Sequence, residues 1–345
     1  MMPKWPWQQN KSADRLAMSI LDERFVYAQA DTQGRLQRCG SIDRGEDSAA
    51  AFVERVRALS LTARNACAVL AMSEAQLLEV DAPAVRPEEL KAAARWKVKD
   101  MVSGRVEDLT MDVMFVGDDQ PRPNRRVFVA MARNTSIQEL AARSKAAGLD
   151  LSVIDLVETA QRNLQSAQAA AQGLGGRATA ALVRHGAQGL LTVCAGGELY
   201  YARRIEWDST ETSDTPQALQ TDVDAAAAEP VEDLSQEGVD FIDYGAEETQ
   251  AVADTAARWV VEVQRSLDLW ERSWPDLPLA ALWVHAGEAS KAVASTLQPQ
   301  VVLPVEVLDL EHVFPGLMQM APSATLREAL LPVLGALLRQ ETLKL

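Results

Sequence analysis

The stretch whose residue types and spacing come nearest to a reactive site is ALVRHGAQGLLTV (181–193), followed at once by GGELYYARRI (196–205). Two apolar runs joined by a glycine-containing turn make a β-hairpin. Gly186, Ala187, Gln188 and Gly189 give it a tight turn whose backbone N–H groups could cradle a phosphate. Phosphate chemistry of that kind also needs a carboxylate at the end of the first strand, because Mg²⁺ takes hard oxygen ligands. The chain has Arg184 there. An arginine cannot coordinate a metal, although its guanidinium is itself a good phosphate partner. His185, His285 and His312 stand singly, without HExxH or a nearby cysteine pair, and read as ordinary packed or surface imidazoles. Cys39, Cys67 and Cys194 are odd in number, far apart and without CxxC spacing, as buried thiols in a reducing compartment would be. Neither a metal site nor a catalytic residue is expected.

The bulk numbers narrow the field. A chain of 345 residues is long enough for two domains, and 48% hydrophobic with 24% charged residues is ordinary for a soluble globular protein. Of the formal charge of −15, 14 carboxylates fall between Asp208 and Asp254, where there is no Lys or Arg, so the remainder is about −1. That composition predicts a mobile acidic insertion over 208–250. No basic cluster is present, which argues against nucleic acid as a partner. No apolar run approaches the roughly 20 residues of a spanning helix. The opening MMPKWPWQQNKSADR lacks a hydrophobic signal core, so a cytoplasmic chain with a flexible tail over 1–14 is expected.

The elements that must position these residues follow from periodicity. RLAMSIL, RFVYAQAD and GRLQRCGSI read as three strands, SAAAFVERVRAL (48–59) as a helix and NACAVLAMSEAQLLEVDAP as strand, turn and strand. PEELKAAARWKVKDMVS (87–103) predicts a helix with Pro87 in its first turn and Leu90, Ala94, Val98 and Met101 on one face. DLTMDVMFVG and VFVAMA are strands around the loop DDQPRPNRR, SIQELAARSKAA (136–147) is a helix closed by Gly148, and LDLSVID is a strand. A helix over 156–171 ends in GLGG, after which ATAALVRHG, QGLLTVCAG and GELYYARRI repeat the three-stranded start, the trace of a duplicated α/β architecture. A helix ending at Pro275 carries Trp259, Val263, Leu267 and Trp270 as an apolar stripe. The strand LAALWVHAG, the helix SKAVASTLQ, the strand VEVLDL and the helix ATLREALLPVLGALLRQ close the chain.

Four stretches in this order and spacing carry a resemblance: VDAPAVRPEELKAAARWKVKDMV, VFVAMARNTSIQELAARSKAAGLDLSVIDL, the hairpin ALVRHGAQGLLTV with GGELYYARRI, and EVQRSLDLWERSWPDLPLAALWVHAG. Running from about Val80 to Gly287, they resemble the PilM/MshI-type actin-like proteins of type IV (MSHA) pilus biogenesis. The resemblance implies a two-lobed actin-like (ribonuclease H-like) α/β fold with an extra subdomain in lobe one. Lobe one's core would take residues 15–81 and 151–172, the subdomain 82–150 and lobe two 177–345.

In nucleotide-binding members of that superfamily, two hairpin turns grip the phosphates of ATP and a glycine-rich turn holds the adenosine. This chain departs from them at each place. The first turn, ILDERFVY, has no glycine and puts Asp22 and Glu23 where phosphate would sit; Arg184 replaces the metal-binding Asp of the second; and HAGEAS keeps only Gly287, with Glu288 beside it. Glu262, Arg265 and Ser266 retain types that line the adenosine side, or else form a charged outer helix face. The expectation is a pseudo-ATPase with no cofactor beyond weak ATP/Mg binding, since hydrolysis needs a metal and a positioned water.

The resemblance further implies a cytoplasmic adaptor that binds the tail of a PilN-like (MshJ-like) bitopic inner-membrane protein, alongside other components of the assembly platform, and meets the membrane only through that partner. The expected groove is lined by Arg95, Trp96, Lys99, Met101, Arg126, Phe128 and Arg133, with Trp96 and Phe128 as core residues and Arg95 as a solvated one in the competing reading. Two other functions stand beside this one: a live ATPase whose nucleotide state gates the partner, and an acidic adaptor acting through 208–250. A homodimer, as among actin-like relatives, has no signature in the chain.

Overall fold

The structure, a computed structural model, describes residues 15–20, 23–61, 65–102, 104–117, 125–207 and 258–340. The expected N-terminal tail, the acidic insertion, most of the DDQPRPNRR loop and Asp22 lie outside the described residues. The chain opens with β1 (Arg15–Ile20), β2 (Arg24–Ala30) and β3 (Leu36–Asp43), then α1 (Ala49–Ala58) and β4 (Ala66–Val69). In β1, Leu16 and Met18 enter one core while Ala17 enters another on the opposite face. A strand covered on both faces reads as a nearly continuous apolar run, as this one does. α1 starts at Ser48, whose Oγ accepts the Ala51 N–H at 3.2 Å, and buries Phe52 and Val56.

The chain then leaves the sheet. β5 (Ala75–Asp81), α2 (Leu90–Val98), β6 (Leu109–Phe115) and β7 (Arg126–Arg133) form an antiparallel sheet in the order β5-β7-β6. Leu90, Ala94 and Val98 of α2 pack on Val127, Val129 and Met131 of β7. The helix expected over 87–103 is shorter, a 3₁₀ turn at Pro87–Glu89 followed by α2. At its end Lys99 N–H donates to Trp96 O at 3.4 Å and Met101 N–H to Val98 O at 2.9 Å. These i−3 bonds tighten the last turn and carry Met101 off the apolar stripe expected for it, leaving it exposed.

α3 (Asn134–Ala146) ends near Gly148, left-handed at φ 74°, and sends Leu140 into the core of lobe one. β8 (Leu151–Asp155) completes the lobe-one sheet, β3-β2-β1-β4-β8. The subdomain boundary differs from the expected 82–150. β5, placed with the core from sequence, pairs with β7 along its whole length from Ala75↔Ala132 to Asp81↔Arg126, whereas α3 belongs to lobe one.

α4 (Val157–Ala171) leads to β9 (Ala178–His185), β10 (Gln188–Ala195) and β11 (Glu198–Glu206). After them come α5 (Arg258–Ser273), β12 (Leu279–His285), α6 (Ser290–Leu297), β13 (Val305–Val307), α7 (Leu310–Val313), α8 (Leu317–Met320) and α9 (Ala324–Leu337). The sheet order β11-β10-β9-β12-β13 repeats that of lobe one, so the expected duplication is present. Trp259, Val263, Leu267 and Trp270 of α5 are all buried against one face of this sheet, as their spacing predicts. The other face meets α4 and α9 in a core shared by both lobes, with Ala17 and Val26 from lobe one and Val183 and Trp283 from lobe two. α4 and α9 cross backbone to backbone: a Cβ on Gly335 would lie 2.1 Å from Ala160 O. The subdomain also touches lobe two, through Val116 and Phe128 against Cys194 and Leu199. There Gly117 N–H donates to Leu199 O at 2.7 Å, and a Cβ on Gly117 would meet the Tyr200 ring at 2.3 Å. Among the described residues no helix is long and apolar enough to cross a membrane.

Candidate functional site: the cleft between the lobes

The hairpin turn keeps the shape its glycines predict, with Gly186 left-handed at φ 63°. Its chemistry is turned inward. Arg184 Nε donates to Gly186 O at 2.9 Å, and its guanidinium carbon lies 5.8 Å from the centre of the Trp207 ring. Trp207 stacks its ring on Trp259 at 4.6 Å, and its backbone N–H donates to Ala187 O at 3.0 Å. Alternation puts Arg184 on the Leu182 side of β9, which packs toward α5, while Val183 points into the core shared by the lobes. The cation is therefore engaged with its own turn and an indole. Ala187 and Gln188 are exposed beside it.

On the opposite face of the sheet, His185 Nε2, His285 Nδ1 and Trp283 Nε1 are buried without a hydrogen-bond partner. Burial, reinforced by the neighbouring His285 and Arg204, pushes His185 down to about 4. His285 falls to about 4 for the same first reason, helped by Arg327. Both imidazoles are neutral near pH 7 and neutralise no phosphate.

The HAGEAS turn is occupied from within. Gly287 is left-handed at φ 58°, and a Cβ placed on it would lie 1.5 Å from Glu328 Oε1 of α9. A carboxylate thus packs on the glycine that would otherwise let backbone approach a ligand. Ser290 Oγ ties the turn, donating to Gly287 O at 2.6 Å and accepting Ala286 N–H at 2.9 Å, while Glu288 is exposed. In EVQRS, Glu262 accepts from Arg203 Nη2 at 3.3 Å, and buried Ser266 accepts from Arg203 Nη1 at 3.2 Å. Arg265 faces solvent. These residues tie α5 to β11, so Arg184, Glu262 and Gly287 sit in three separate local networks. Among the described residues no cluster of three His, Cys, Asp or Glu side chains could hold a metal ion.

Beside the shared apolar core, the lobes are joined by a buried ion pair that sequence reading missed. Arg204 of β11 reaches Glu158 Oε1 of α4 through Nε at 3.0 Å and Nη2 at 2.7 Å. The same guanidinium donates to Met72 O at 2.5 Å and to Ala75 O at 2.9 Å. A second buried pair, Arg339 Nη1 to Asp155 Oδ2 at 2.9 Å, ties the C-terminal end to the start of α4, where Asp155 also accepts from Leu156 N–H and Thr159 Oγ1. Beside Arg204, a cleft of about 190 Å³ separates β5 from β11, lined by Gln76, Leu77, Leu78, Leu190, Ala202 and Arg204. Both are end strands of their sheets, with an outer edge that no strand pairs among the described residues.

The expected peptide groove is dispersed. Trp96 lies on the outer face of α2, and Lys99 and Met101 follow just past its end, exposed, with Lys99 Nζ 5.4 Å from the Trp96 ring centre. Arg95 bonds Val106 O at 2.6 Å, and Arg126 pairs with Glu79 at 2.8 Å. Burial raises the Glu79 carboxyl against the pull of Arg126. Arg133 is exposed at the start of α3. Phe128 is buried on the other face of the subdomain sheet, against lobe two. Successive residues of β7 alternate faces, and α2 covers the face of Val127 and Val129, so Trp96 and Phe128 cannot share a groove.

No family model matches the chain, and no curated protein matches it. Among solved structures it is similar to a chain of a PilM-PilN type IV pilus biogenesis complex, with TM-score 0.66 and 15% identity over 94% of this chain and 98% of that one. It is also similar to the cytoplasmic domain of EpsL, an inner-membrane component of the type II secretion system of Vibrio cholerae, with TM-score 0.40 and 13% identity over 56% of this chain and 71% of that one. A Bacteroides thetaiotaomicron protein with an actin-like ATPase fold and unknown function gives TM-score 0.47 and 11% identity over 94% and 99%. The fold is the two-lobed actin-like α/β fold with an inserted subdomain.

Proposed function

We propose that this chain is a cytoplasmic adaptor of a type IV pilus assembly platform of the MSHA type, and that it binds the cytoplasmic tail of a PilN-like (MshJ-like) inner-membrane protein without turning over ATP. The observation that carries the reading is the match, over nearly the whole of both chains, to the chain of a PilM-PilN complex. The β5–β11 cleft favours an extended peptide, because two edges that no strand pairs among the described residues offer main-chain groups besides Ala75 O and Leu199 O, which Arg204 and Gly117 already hold, and Leu77, Leu190 and Ala202 offer an apolar seat. The loss of turnover is favoured by the absence of a metal-binding carboxylate at Arg184, which bonds its own turn, and by the Glu328 carboxylate that fills the turn at Gly287.

The test is titration calorimetry of the full chain with a synthetic N-terminal tail of the PilN-like protein, and separately with Mg-ATP. Micromolar peptide binding that Ala202→Phe weakens at least tenfold, at unchanged melting temperature, is the expected result. Peptide binding indifferent to that substitution would move the tail elsewhere; ATP hydrolysis would overturn the adaptor reading.

A further inference from the structure

The cleft between β5 and β11 and the buried ion pair between the lobes share their residues. Glu158 of α4 and Arg204 of β11 form the pair, and both line the cleft. β5 supplies the facing wall through Gln76, Leu77 and Leu78. That wall begins one residue after Ala75, whose side chain is buried in the core of lobe one. Arg204 reaches across to this starting point. Its Nη2 donates to Ala75 O at 2.9 Å, and its Nη1 donates at 2.5 Å to Met72 O, in the turn before β5.

One side chain therefore spans the cleft at this end. It is rooted in β11, one wall, and grips the peptide plane that starts β5, the other wall. It is fixed in turn by α4, through bonds from Nε and Nη2 to Glu158 Oε1 at 3.0 and 2.7 Å. Only an arginine suits this work. Its planar guanidinium carries its N–H donors in a rigid fork, so Nε and Nη2 hold the carboxylate while Nη2 and Nη1 still reach two carbonyls. A lysine ammonium gathers its donors on one atom and cannot serve three oxygens so far apart.

We infer that Arg204 is the positioning residue of the cleft: by holding the peptide plane between Ala75 and Gln76 against β11, it orders the β5 wall before a tail arrives. The inference rests on the proposed binding of the partner tail in this cleft, and adds to it a residue that acts through β5. Because the same guanidinium holds α4, the tail meets a wall whose placement depends on how the lobes are joined. Without Arg204 the start of the wall must be ordered when the tail binds, and fixing the backbone of one residue corresponds to about tenfold in affinity.

The test uses two full-length variants. Glu158→Met combined with Arg204→Met leaves no charge stranded, and Arg204→Lys keeps a cation beside Glu158 but lacks the fork. Hydrogen exchange is followed on the free proteins, and binding of the synthetic N-terminal tail of the PilN-like protein by calorimetry. In both variants the amides of residues 76–78 should exchange faster than in the wild type, with the strands of lobe two unchanged, and affinity should fall about tenfold. Arg204→Lys decides alone if the double variant does not fold. Affinity equal to that of the wild type in the variants overturns the inference and leaves the proposed function standing. Weaker binding with unchanged exchange at 76–78 overturns it too, and makes Arg204 a direct contact of the tail. A wild-type chain that binds no tail overturns the proposed function and this inference together.

Discussion

Replacing Arg204 by methionine isolates one polar contact that joins the lobes. In the native protein the Glu158 side chain is 3% exposed and that of Arg204 28%, so the pair is closed off on the carboxylate side. Removing the guanidinium takes away two bonds to Glu158 and the donors to Met72 O and Ala75 O at once. The stranded charge dominates: breaking a buried pair from one side costs about 3–5 kcal/mol, while the loss of the N–H groups that donate to the two carbonyls adds roughly 1 kcal/mol each where water cannot replace them. Against a total stability on the order of 5–15 kcal/mol this is a large fraction. Urea unfolding followed by circular dichroism should show the midpoint falling with an unchanged slope. Glu158→Met combined with Arg204→Met should recover most of the loss, because no charge is then left buried. A loss below about 1 kcal/mol in the single variant, or a double variant as unstable as the single one, would refute the reasoning and reduce the pair to a surface contact.

Gly335→Ala should lower the melting temperature by several degrees, since its methyl would meet Ala160 O at 2.1 Å and force α4 and α9 apart at a cost of about 1–3 kcal/mol. His185 and His285 are both pushed down to about 4 in the fold from an unfolded value near 6.5, so between those pH values the unfolded chain binds more protons. The stability they contribute is fully present above about pH 6.5 and is lost as pH falls toward 4, by at most about 3 kcal/mol each; chemical denaturation across that range should show the slope, and His285→Gln should flatten it. Arg184→Asp should not create Mg-ATP binding by itself, because the Glu328 carboxylate still packs on Gly287; calorimetry of that variant checks this.

Much of the architecture is legible in sequence because it is local and periodic. The Trp259, Val263, Leu267 and Trp270 stripe, the Gly148 cap and the repeated hairpins all follow from spacing along one element. What eluded the reading depends on partners far apart in the chain. Arg203 and Arg204 are neighbours whose side chains alternation sends to opposite faces, one to α5 and one to α4, and no local pattern tells which is the inter-lobe clamp. The placement of Phe128 in the partner groove failed for the same reason, since the face of β7 that α2 covers is set by packing and not by the strand's own pattern. β5 followed its sequence neighbour β4 into the core in the reading, while in the molecule its ladder with β7 draws it into the subdomain. At the candidate site, the absence of a metal-binding carboxylate at 184 was visible in the residue itself; the bond from Arg184 to its own turn and the Glu328 carboxylate on Gly287 were not.

The central claim, an adaptor that takes a membrane protein's tail without help from nucleotide, is tested most directly by one titration: the N-terminal tail peptide of a PilN-like protein into nucleotide-free full-length protein, with and without Mg-ATP in the cell. The account predicts micromolar binding that is the same in both. Absence of binding without nucleotide, or affinity that rises with Mg-ATP and decays as the ATP is hydrolysed, would contradict it.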